Sequence, residues 1–331
     1  MLTHYSPMDP PIEESVARIG DGHWLLGSTV ICEAAEIGGE IAKNALAKWE
    51  DKAGNKYFVR APPTMQVAQT HSTKNQTSNG HLEPFHKAGT SAAVWQLGGA
   101  FVKVKAWRDG MQLESNTIEF VKDRVAVPTP TVIHSWIDHE RNRTYLILKA
   151  EEGTTLDQAW AKMSPDHRTQ VAGKVAEYCK VLSLLASEKL ETANGCGVLE
   201  PFLTARPDNS EPSWIPQLLG PFTVKQLYEY LGGRDIVGQL SSFLFYHADL
   251  SPKNIMVDDN GHVLAILDWE SAGYYPEFWI GTKPMKAAGF FLSTFKDDRT
   301  AWARSLTAAV EKEGFAADDQ MFKLWKSGIG Q

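Results

Sequence analysis

Residues 247–270 read HADLSPKNIMVDDNGHVLAILDWE, and this stretch decides the fold. Its two short apolar runs, NIMVD and HVLAILD, are typical of β-strands, and Asn260-Gly261 lies between them. Asn-Gly is the preferred pair for a two-residue hairpin turn, because both positions of that turn need positive φ. The stretch therefore predicts a β-hairpin.

The register of that hairpin brings polar side chains to its open end. Counting outward from a two-residue turn places Asn254 opposite Leu267, and Asp268 follows one residue later. Asp249 lies on the loop just upstream. An amide oxygen and two carboxylates are therefore expected close together.

These side chains suit one kind of chemistry. Mg²⁺ binds oxygen ligands, and it takes one or two protein groups together with substrate phosphates and water. Phosphoryl transfer needs such an ion, and it needs a nearby carboxylate that orients the attacking hydroxyl. An Asp-x-x-x-x-Asn spacing, followed by an Asp after the next strand, supplies both and predicts a phosphoryl-transfer site.

At this point the sequence resembles a known family. HADLSPKN is similar to the catalytic loop of aminoglycoside phosphotransferase-like kinases, which belong to the protein-kinase-like superfamily, and ILDWE resembles their metal-binding segment. The nearest likeness is to fungal proteins with this domain, in which a DLSP loop and a DWE followed by Ala-Gly-Tyr are common. The resemblance runs from about residue 93 to about residue 282.

The resemblance implies a role for each polar residue of the stretch. Asp249 would be the catalytic base or the group that orients the hydroxyl, and Asn254 and Asp268 would bind Mg²⁺. His247 would hold the loop through hydrogen bonds. Ser251 stands where protein kinases usually have Lys, which favours a small-molecule substrate over a protein.

A nucleotide-anchoring lysine is also implied. The strand AFVKVK offers Lys103 and Lys105, which point to the same side because side chains alternate along a strand, so alternation alone does not choose between them. The family register favours Lys103, and it places Glu114 on the following helix as its partner. The alternative is that these residues are solvated surface charges.

Three further features belong to the expected site. The resemblance makes residues 145–153 the strand and linker between two lobes, where adenine contacts the main chain, and the contact is expected at Leu148 to Ala150. Glu270 would face the acceptor or cap a turn. Gly98-Gly99 only loosely resembles a phosphate-covering loop.

The order of elements predicts an α+β, bilobal, protein-kinase-like fold. Residues 1–150 are expected to form a nucleotide-binding lobe of antiparallel sheet with one helix, with residues 1–92 as an irregular extension. Residues 151–331 are expected to form a larger, mainly helical catalytic lobe. Residues 70–92 are predicted to be a polar, mobile loop, and 234–246 to be helical.

Composition excludes several classes of protein. The net charge of −7 argues against a nucleic-acid partner, and 43% hydrophobic residues indicate a globular chain. Cys32, Cys179 and Cys196 form neither a disulfide framework nor a zinc motif, and Cys179 is expected to be a small buried hydrophobic residue. The N-terminus lacks a signal-peptide pattern, and no apolar run is long enough to span a membrane, so a cytoplasmic location is expected.

The resulting hypothesis is a Mg²⁺-dependent small-molecule kinase that uses ATP or GTP and a hydroxyl acceptor. A nucleotide-binding pseudokinase, or a kinase-fold enzyme recruited for other transfer chemistry, is the alternative. Residues 271–281 cluster aromatic and acidic side chains that would either hold an organic cation or pack the second lobe. The acceptor and the oligomeric state stay open.

Overall fold

The computed structural model describes residues 10–35, 41–61, 82–205, 217–233 and 242–329. These residues divide into two units. The first lies within Met1–Asp109 and Thr131–Ala150, and the second within Gly110–Pro130 and Glu151–Gln331. In the described part of the chain, no helix combines the length and the apolar character that crossing a membrane requires.

One sheet of the first unit carries the predicted nucleotide strands. Its described strands are antiparallel, in the order β6-β7-β8-β10-β9. Gly98-Gly99 connects β7 and β8 in a hairpin, and β9 and β10 pair with each other. The bounds are β6 His86–Ala88, β7 Ala92–Leu97, β8 Ala100–Ala106, β9 Val132–Asp138 and β10 Arg143–Lys149.

A second sheet of the first unit occupies the region expected to be irregular. Residues 16–60 form antiparallel strands in the order β1-β2-β3-β5-β4, so the expectation of an irregular extension is wrong for this part. Glycines with left-handed φ at Gly22, Gly27 and Gly54 make the tight turns that connect neighbouring strands. The bounds are β1 Val16–Gly20, β2 His23–Leu26, β3 Val30–Ala34, β4 Ala47–Glu50 and β5 Lys56–Arg60.

The polar segment 70–92 is only partly described. His86 lies on β6, so the end of the expected loop is a strand instead, because it pairs with the apolar strand β7. Two other histidines of this segment, His71 and His81, lie outside the described residues.

The two sheets of the first unit share one hydrophobic core. Buried side chains of β2, β3 and β5 cluster with those of β7, β8 and β10, so the two sheets pack face to face. Val102 and Val104 point into this core, whereas Phe101, Lys103 and Lys105 alternate to the opposite face of β8 and are half-buried. The sheet of residues 16–60 therefore covers the face of β8 opposite the two lysines.

The turn between β7 and β8 is held in place by side chains of the sheet of residues 16–60. Gly98 has a φ of 52° and Gly99 a φ of 72°, both in the left-handed region. The Trp49 Nε1 donates to the Gly98 carbonyl at 2.8 Å, and the Tyr57 ring lies where a Gly98 side chain would begin. This turn is thus a packed structural element.

Gly98→Ala is expected to destabilise the protein strongly. The left-handed conformation costs an L-residue about 1–2 kcal/mol. A Cβ at this position would also overlap the Tyr57 ring, and overpacking adds about 1–3 kcal/mol. Urea denaturation measures the loss in the free energy of unfolding.

Gly89→Ala is the matched control for that change. Gly89 has a similar φ of 58°, and no described atom lies within 4 Å of a Cβ built there. It should therefore show only the conformational cost. Equal losses in the two variants would contradict the packing of Tyr57 against the turn.

The second unit holds the helices. The helix expected after β8, which carries Glu114, is α1, and the short α2 begins at Leu156. Within α3, Val171, Val175 and Leu182 are buried. Cys179 is also buried, as expected, and burial raises the pKa of its thiol to about 12. The bounds are α1 Glu114–Arg124, α2 Leu156–Ala159, α3 Pro165–Leu182, α4 Val224–Tyr230, α5 Phe278–Lys286, α6 Ala301–Lys312 and α7 Asp319–Gly328.

The second unit also contains short antiparallel sheets, whose strands are joined by loops. Phe243–Tyr246 is a strand that leads into the HADLSPKN loop, so the helix predicted there is wrong, because this apolar run pairs with residues 273–276. The rest of that predicted helix, 234–241, lies outside the described residues. The bounds are β11 Thr154–Thr155, β12 Ala186–Ser187, β13 Lys189–Leu190, β14 Val198–Leu199, β15 Leu218–Leu219, β16 Phe222–Thr223, β17 Phe243–Tyr246, β18 Ile255–Val257, β19 Val263–Ile266 and β20 Gly273–Pro276.

The two units together give an α+β chain, with antiparallel sheets in the first and most of the described helix in the second. The predicted fold class is confirmed. Residues 110–130, expected in the first lobe, lie in the second unit because α1 packs against Trp269–Ser271.

Candidate active site

The predicted hairpin is formed by β18 and β19. At its open end the predicted register is observed, since Ile255 pairs with Ile266 and the Leu267 N–H donates to the Asn254 carbonyl at 2.7 Å. At its closed end the register shifts by one residue, and Val257 pairs with Val263. The count to Asn254 and Leu267 was therefore right.

The predicted two-residue Asn-Gly turn is wrong. Gly261 has a φ of 78°, whereas Asn260 does not adopt positive φ, which a two-residue turn of that type needs at both positions. Asp258 organises a longer turn instead: its Oδ1 accepts from the N–H groups of Asn260 (2.9 Å) and His262 (2.8 Å). The extra residue is absorbed by the register shift beside Val257.

Asp249 and Asn254 are joined directly. Asn254 Nδ2 donates to Asp249 Oδ2 at 2.9 Å and to the Asp249 carbonyl at 3.0 Å. Burial, and then the negative charge of Asp268, raise the pKa of the half-buried Asp249 carboxyl from 3.8 to about 6. Because Nδ2 faces Asp249, Asn254 Oδ1 points elsewhere, and it accepts no hydrogen bond from the described residues.

His247 holds the loop and the end of β19 together. Its Nδ1 accepts from the Asp249 N–H at 3.1 Å, so Nε2 carries the proton and donates to the Leu267 carbonyl at 3.0 Å. The ring is buried and packs edge-on against Trp269, with 4.5 Å between the ring centroids. These contacts fix the backbone of Asp249 relative to that of Leu267.

The loop also has supports that the sequence did not indicate. Trp302 Nε1, on α6, donates to the Leu250 carbonyl at 3.0 Å, and the Asp157 N–H donates to the Pro252 carbonyl at 2.9 Å. Ser251 is buried and its Oγ accepts from the Lys253 N–H at 3.3 Å. A tryptophan in an amphipathic helix gives no sign in the sequence that it reaches a distant loop.

Two residues of the site have strained backbones. Ala248 has a φ of 63° and Asp268 a φ of 65°. The left-handed conformation costs a residue other than glycine about 1–2 kcal/mol, and such strain is concentrated at functional sites. The hydrogen bonds of His247 on either side stabilise this arrangement.

Carboxylates cluster around Asp268. One oxygen each of Glu114, Asp268 and Glu270 lies within 4.8 Å of the others, and Glu114 Oε1 accepts from the Trp269 N–H at 3.1 Å. Convergent negative charge and an all-oxygen donor set fit a divalent cation such as Mg²⁺. Together with the amide oxygen of Asn254, these side chains have the chemistry that the implied ion requires.

A buried ion pair lies within electrostatic reach of Asp249. Lys283 Nζ and Trp279 Nε1 donate to Glu200 Oε2 at 2.5 and 2.9 Å, and Glu200 Oε1 accepts from the Phe202 N–H at 3.2 Å. Glu200 is fully buried and Lys283 is 5% exposed. The positive charge of Lys283 lowers the pKa of Asp249, and the charge of Glu200 raises it. A lysine in the apolar segment FWIGTKPM was the only sequence sign of this pair.

The aromatic cluster after DWE packs into the second unit. Tyr275 is buried and donates to the Ser271 carbonyl at 2.6 Å, while Trp279 is buried against Glu200. The ring of Tyr274 packs against Phe245 with 5.1 Å between centroids. These contacts favour the packing interpretation over an organic-cation site.

The nucleotide candidates of the first unit lie on neighbouring strands. Lys103 pairs with Leu146, and Leu148 pairs with Phe101. The Ala150 N–H donates to the Gly99 carbonyl at 2.9 Å, so only its carbonyl is left for a base. Glu114, the expected partner of Lys103, belongs to the second unit, and their pairing stays a prediction.

Comparisons with known proteins identify the family. The family model described as "Phosphotransferase enzyme family" (APH) matches residues 85–278, close to the span of the resemblance noted from the sequence. No curated protein matches the chain. The nearer likeness to fungal members stays a prediction.

Solved structures of similar proteins include three aminoglycoside phosphotransferases. The type VIII aminoglycoside-3'-phosphotransferase is 15% identical, with 73% of this chain and 89% of that chain covered and a TM-score of 0.44. A thermostable mutant of APH(4)-Ia with AMP-PNP and hygromycin B is 14% identical, with coverages of 74% and 82% and a TM-score of 0.46. The GDP complex of aminoglycoside 2'-phosphotransferase-IIIa is 13% identical, with coverages of 75% and 81% and a TM-score of 0.40. The family match covers more than half of the 331 residues, and the chain belongs to the phosphotransferase enzyme family.

Proposed function

We propose that this chain is a Mg²⁺-dependent kinase that moves the γ-phosphate of ATP or GTP to a hydroxyl group of a small molecule. The observation that carries the proposal is the open end of the β18–β19 hairpin. There the Asp249 carboxylate is held by the Asn254 amide, beside the carboxylate of Asp268. Membership of a phosphotransferase family supports the class of reaction.

Asp249 is the proposed catalytic residue. Its Oδ2 is fixed by Asn254, and its Oδ1 accepts no hydrogen bond from any described residue. An acceptor hydroxyl that donates to Oδ1 would be oriented for attack and could pass its proton to the carboxylate. Ser251 and His247 would keep this carboxylate in place through the loop backbone.

Asn254 Oδ1 and Asp268 are the proposed metal ligands. Glu114 and Glu270 add negative charge next to Asp268, which increases the attraction for a cation. Bound Mg²⁺ would neutralise the phosphate charge, which is the contribution that phosphoryl transfer requires of it. Glu270 is thereby proposed to support the metal site rather than to contact the acceptor.

Lys103 is the proposed anchor for the nucleotide phosphates, with Lys105 on the same face of β8 as the alternative. The base would contact the main chain between Leu148 and Ala150. Because the Ala150 N–H is already bonded to Gly99, the contact at Ala150 would use its carbonyl oxygen. A hydrogen-bond donor on the base, such as an exocyclic amine, would satisfy that oxygen.

Nucleotide binding is expected to depend on the metal and on Asp268. At a nucleotide concentration of 100 times the Kd, binding stabilises the folded chain by about 2.7 kcal/mol, and thermal unfolding measures this as a rise in Tm. A chelator, or Asp268→Asn, should remove most of the rise. The control Asp259→Asn changes an exposed aspartate at the hairpin tip and should leave the rise intact. An identical rise with and without Mg²⁺ would argue against the proposed metal site.

A further inference from the structure

Gly289 lies beside the oxygen of Asp249 that Asn254 does not hold. A Cβ built on Gly289 would lie 3.9 Å from Asp249 Oδ1, and beyond its chain neighbours and the backbone of its own helical turn it would meet no other described atom within 4 Å. Gly289 itself is exposed. The space in front of Oδ1 is therefore open on the side of Gly289.

Neither the backbone nor the packing requires a glycine here. The φ of Gly289 lies outside the left-handed region, in contrast to Gly98, where both the backbone conformation and the Tyr57 ring exclude a side chain. An alanine would fit at position 289 without strain or overlap. The absence of a side chain at position 289 leaves free volume next to Asp249 Oδ1.

The segment that contains Gly289 is anchored to the catalytic loop. The Asp157 carboxylate accepts from the N–H of Ser293 at 2.6 Å and also from the Ser293 hydroxyl, and the Asp157 carbonyl accepts from the Thr294 hydroxyl. The Asp157 N–H donates to the Pro252 carbonyl at 2.9 Å. One buried aspartate thus ties the segment after Gly289 to the loop that carries Asp249.

The other end of this segment is also held. The Ala287 N–H donates to the Lys283 carbonyl at 3.1 Å, at the end of α5, and Phe290 is buried. Anchored on both sides, the segment has little freedom to move away from Asp249. A side chain added at position 289 would therefore project into the space beside Oδ1.

We propose that Gly289 keeps the space beside Asp249 Oδ1 open and sets the size of the acceptor that can donate its hydroxyl there. The inference rests on the proposed function, because it takes Oδ1 as the oxygen that receives the acceptor. An acceptor oxygen bonded to Oδ1 would lie about 2.7 Å from it. The carbon substituents next to that oxygen then need the volume that a side chain at position 289 would fill. The class of acceptor that this space favours is one with a substituted carbon, such as a secondary or ring-borne hydroxyl.

Chemical modification of Asp249 tests the open space without turnover. A water-soluble carbodiimide with methylamine converts accessible carboxyls to amides, and peptide mass spectrometry gives the rate at each residue. Gly289→Leu should slow modification of Asp249 several-fold and Gly289→Ala should slow it less, while Asp259 on the same hairpin keeps its rate. Gly173→Leu is the matched control, because a Cβ at Gly173 in α3 meets no described atom within 4 Å beyond its chain neighbours and the helix's own backbone. If Gly289→Leu does not fold, the modification rate of Asp249 in Gly289→Ala tests the inference instead.

Phosphate transfer gives the second readout. Labelled γ-phosphate transfer is measured to ethanol, 2-propanol, cyclohexanol and myo-inositol. Gly289→Leu should lower transfer to the ring alcohols relative to ethanol by about 10- to 200-fold, the range that a filled pocket commonly gives. Gly173→Leu should not change this ratio.

The outcomes separate the inference from the proposed function. An unchanged modification rate at Asp249 in Gly289→Leu overturns the inference, and so does an unchanged acceptor ratio in a chain that transfers phosphate. In a further outcome, Gly289→Leu slows modification of Asp249, but the wild-type chain transfers phosphate to none of the alcohols. That result supports the assignment of Gly289 and counts against the proposed function.

Discussion

Asp249→Asn is expected to lower the turnover number by about 10²- to 10⁴-fold, the contribution typical of a general base. The substitution keeps the shape of the side chain, and the new amide oxygen can still accept from Asn254 Nδ2. It removes only the group that takes the proton of the acceptor. Nucleotide binding, measured by the rise in Tm with Mg·ATP, should stay at the wild-type level.

The stability of the same variant provides an internal check. Burial and Asp268 both disfavour the charge on Asp249, as its raised pKa of about 6 indicates. A neutral amide should therefore leave the free energy of unfolding unchanged or slightly higher. Asp259→Asn makes the same chemical change at the exposed tip of the hairpin and should leave turnover as it is. Wild-type turnover in Asp249→Asn would rule out the assigned role.

Lys283→Met is expected to destabilise the folded chain by about 3–5 kcal/mol, because it leaves the buried Glu200 carboxylate without its cation. Glu200 is fully buried, and its remaining donors are the neutral N–H groups of Trp279 and Phe202. Urea denaturation at constant m-value measures the loss.

Two comparisons identify the cause of that loss. Lys174→Met breaks an exposed pair in which Lys174 Nζ lies 2.7 Å from Glu177, and such pairs contribute about 0.2–1 kcal/mol. The double variant Glu200→Gln/Lys283→Met has no buried charge and should recover most of the stability. If the double variant is no more stable than Lys283→Met, the loss arises from packing rather than from the unpaired charge.

The sequence was most informative where contacts are local. Pairing along the hairpin depends on neighbouring residues, so counting from Asn260-Gly261 placed Asn254 opposite Leu267 correctly. The turn type was wrong because the Asp258 side chain bonds two backbone N–H groups and favours a longer turn. The bulge beside Val257 then restored the register, so two local errors cancelled at the open end.

Long-range contacts account for what the sequence did not indicate. The sheet of residues 16–60 is stabilised by burial against β7, β8 and β10, and its short strands carry only a weak local signal. Glu200 and Lys283 are 83 residues apart, and Asp157 and Ser293 are 136 residues apart. Periodicity within one segment cannot reveal such pairs, because the partner lies on another element.

The most direct test of the account is the fate of labelled γ-phosphate. The wild-type chain is incubated with Mg²⁺, labelled ATP or GTP and a set of hydroxyl-bearing metabolites, and the products are separated by chromatography. The account predicts label in the phosphate ester of at least one acceptor, lost when Mg²⁺ is chelated and when Asp249 is replaced by asparagine. Nucleotide that binds with Mg²⁺ but transfers no label to any acceptor would contradict it and would indicate a nucleotide-binding pseudokinase.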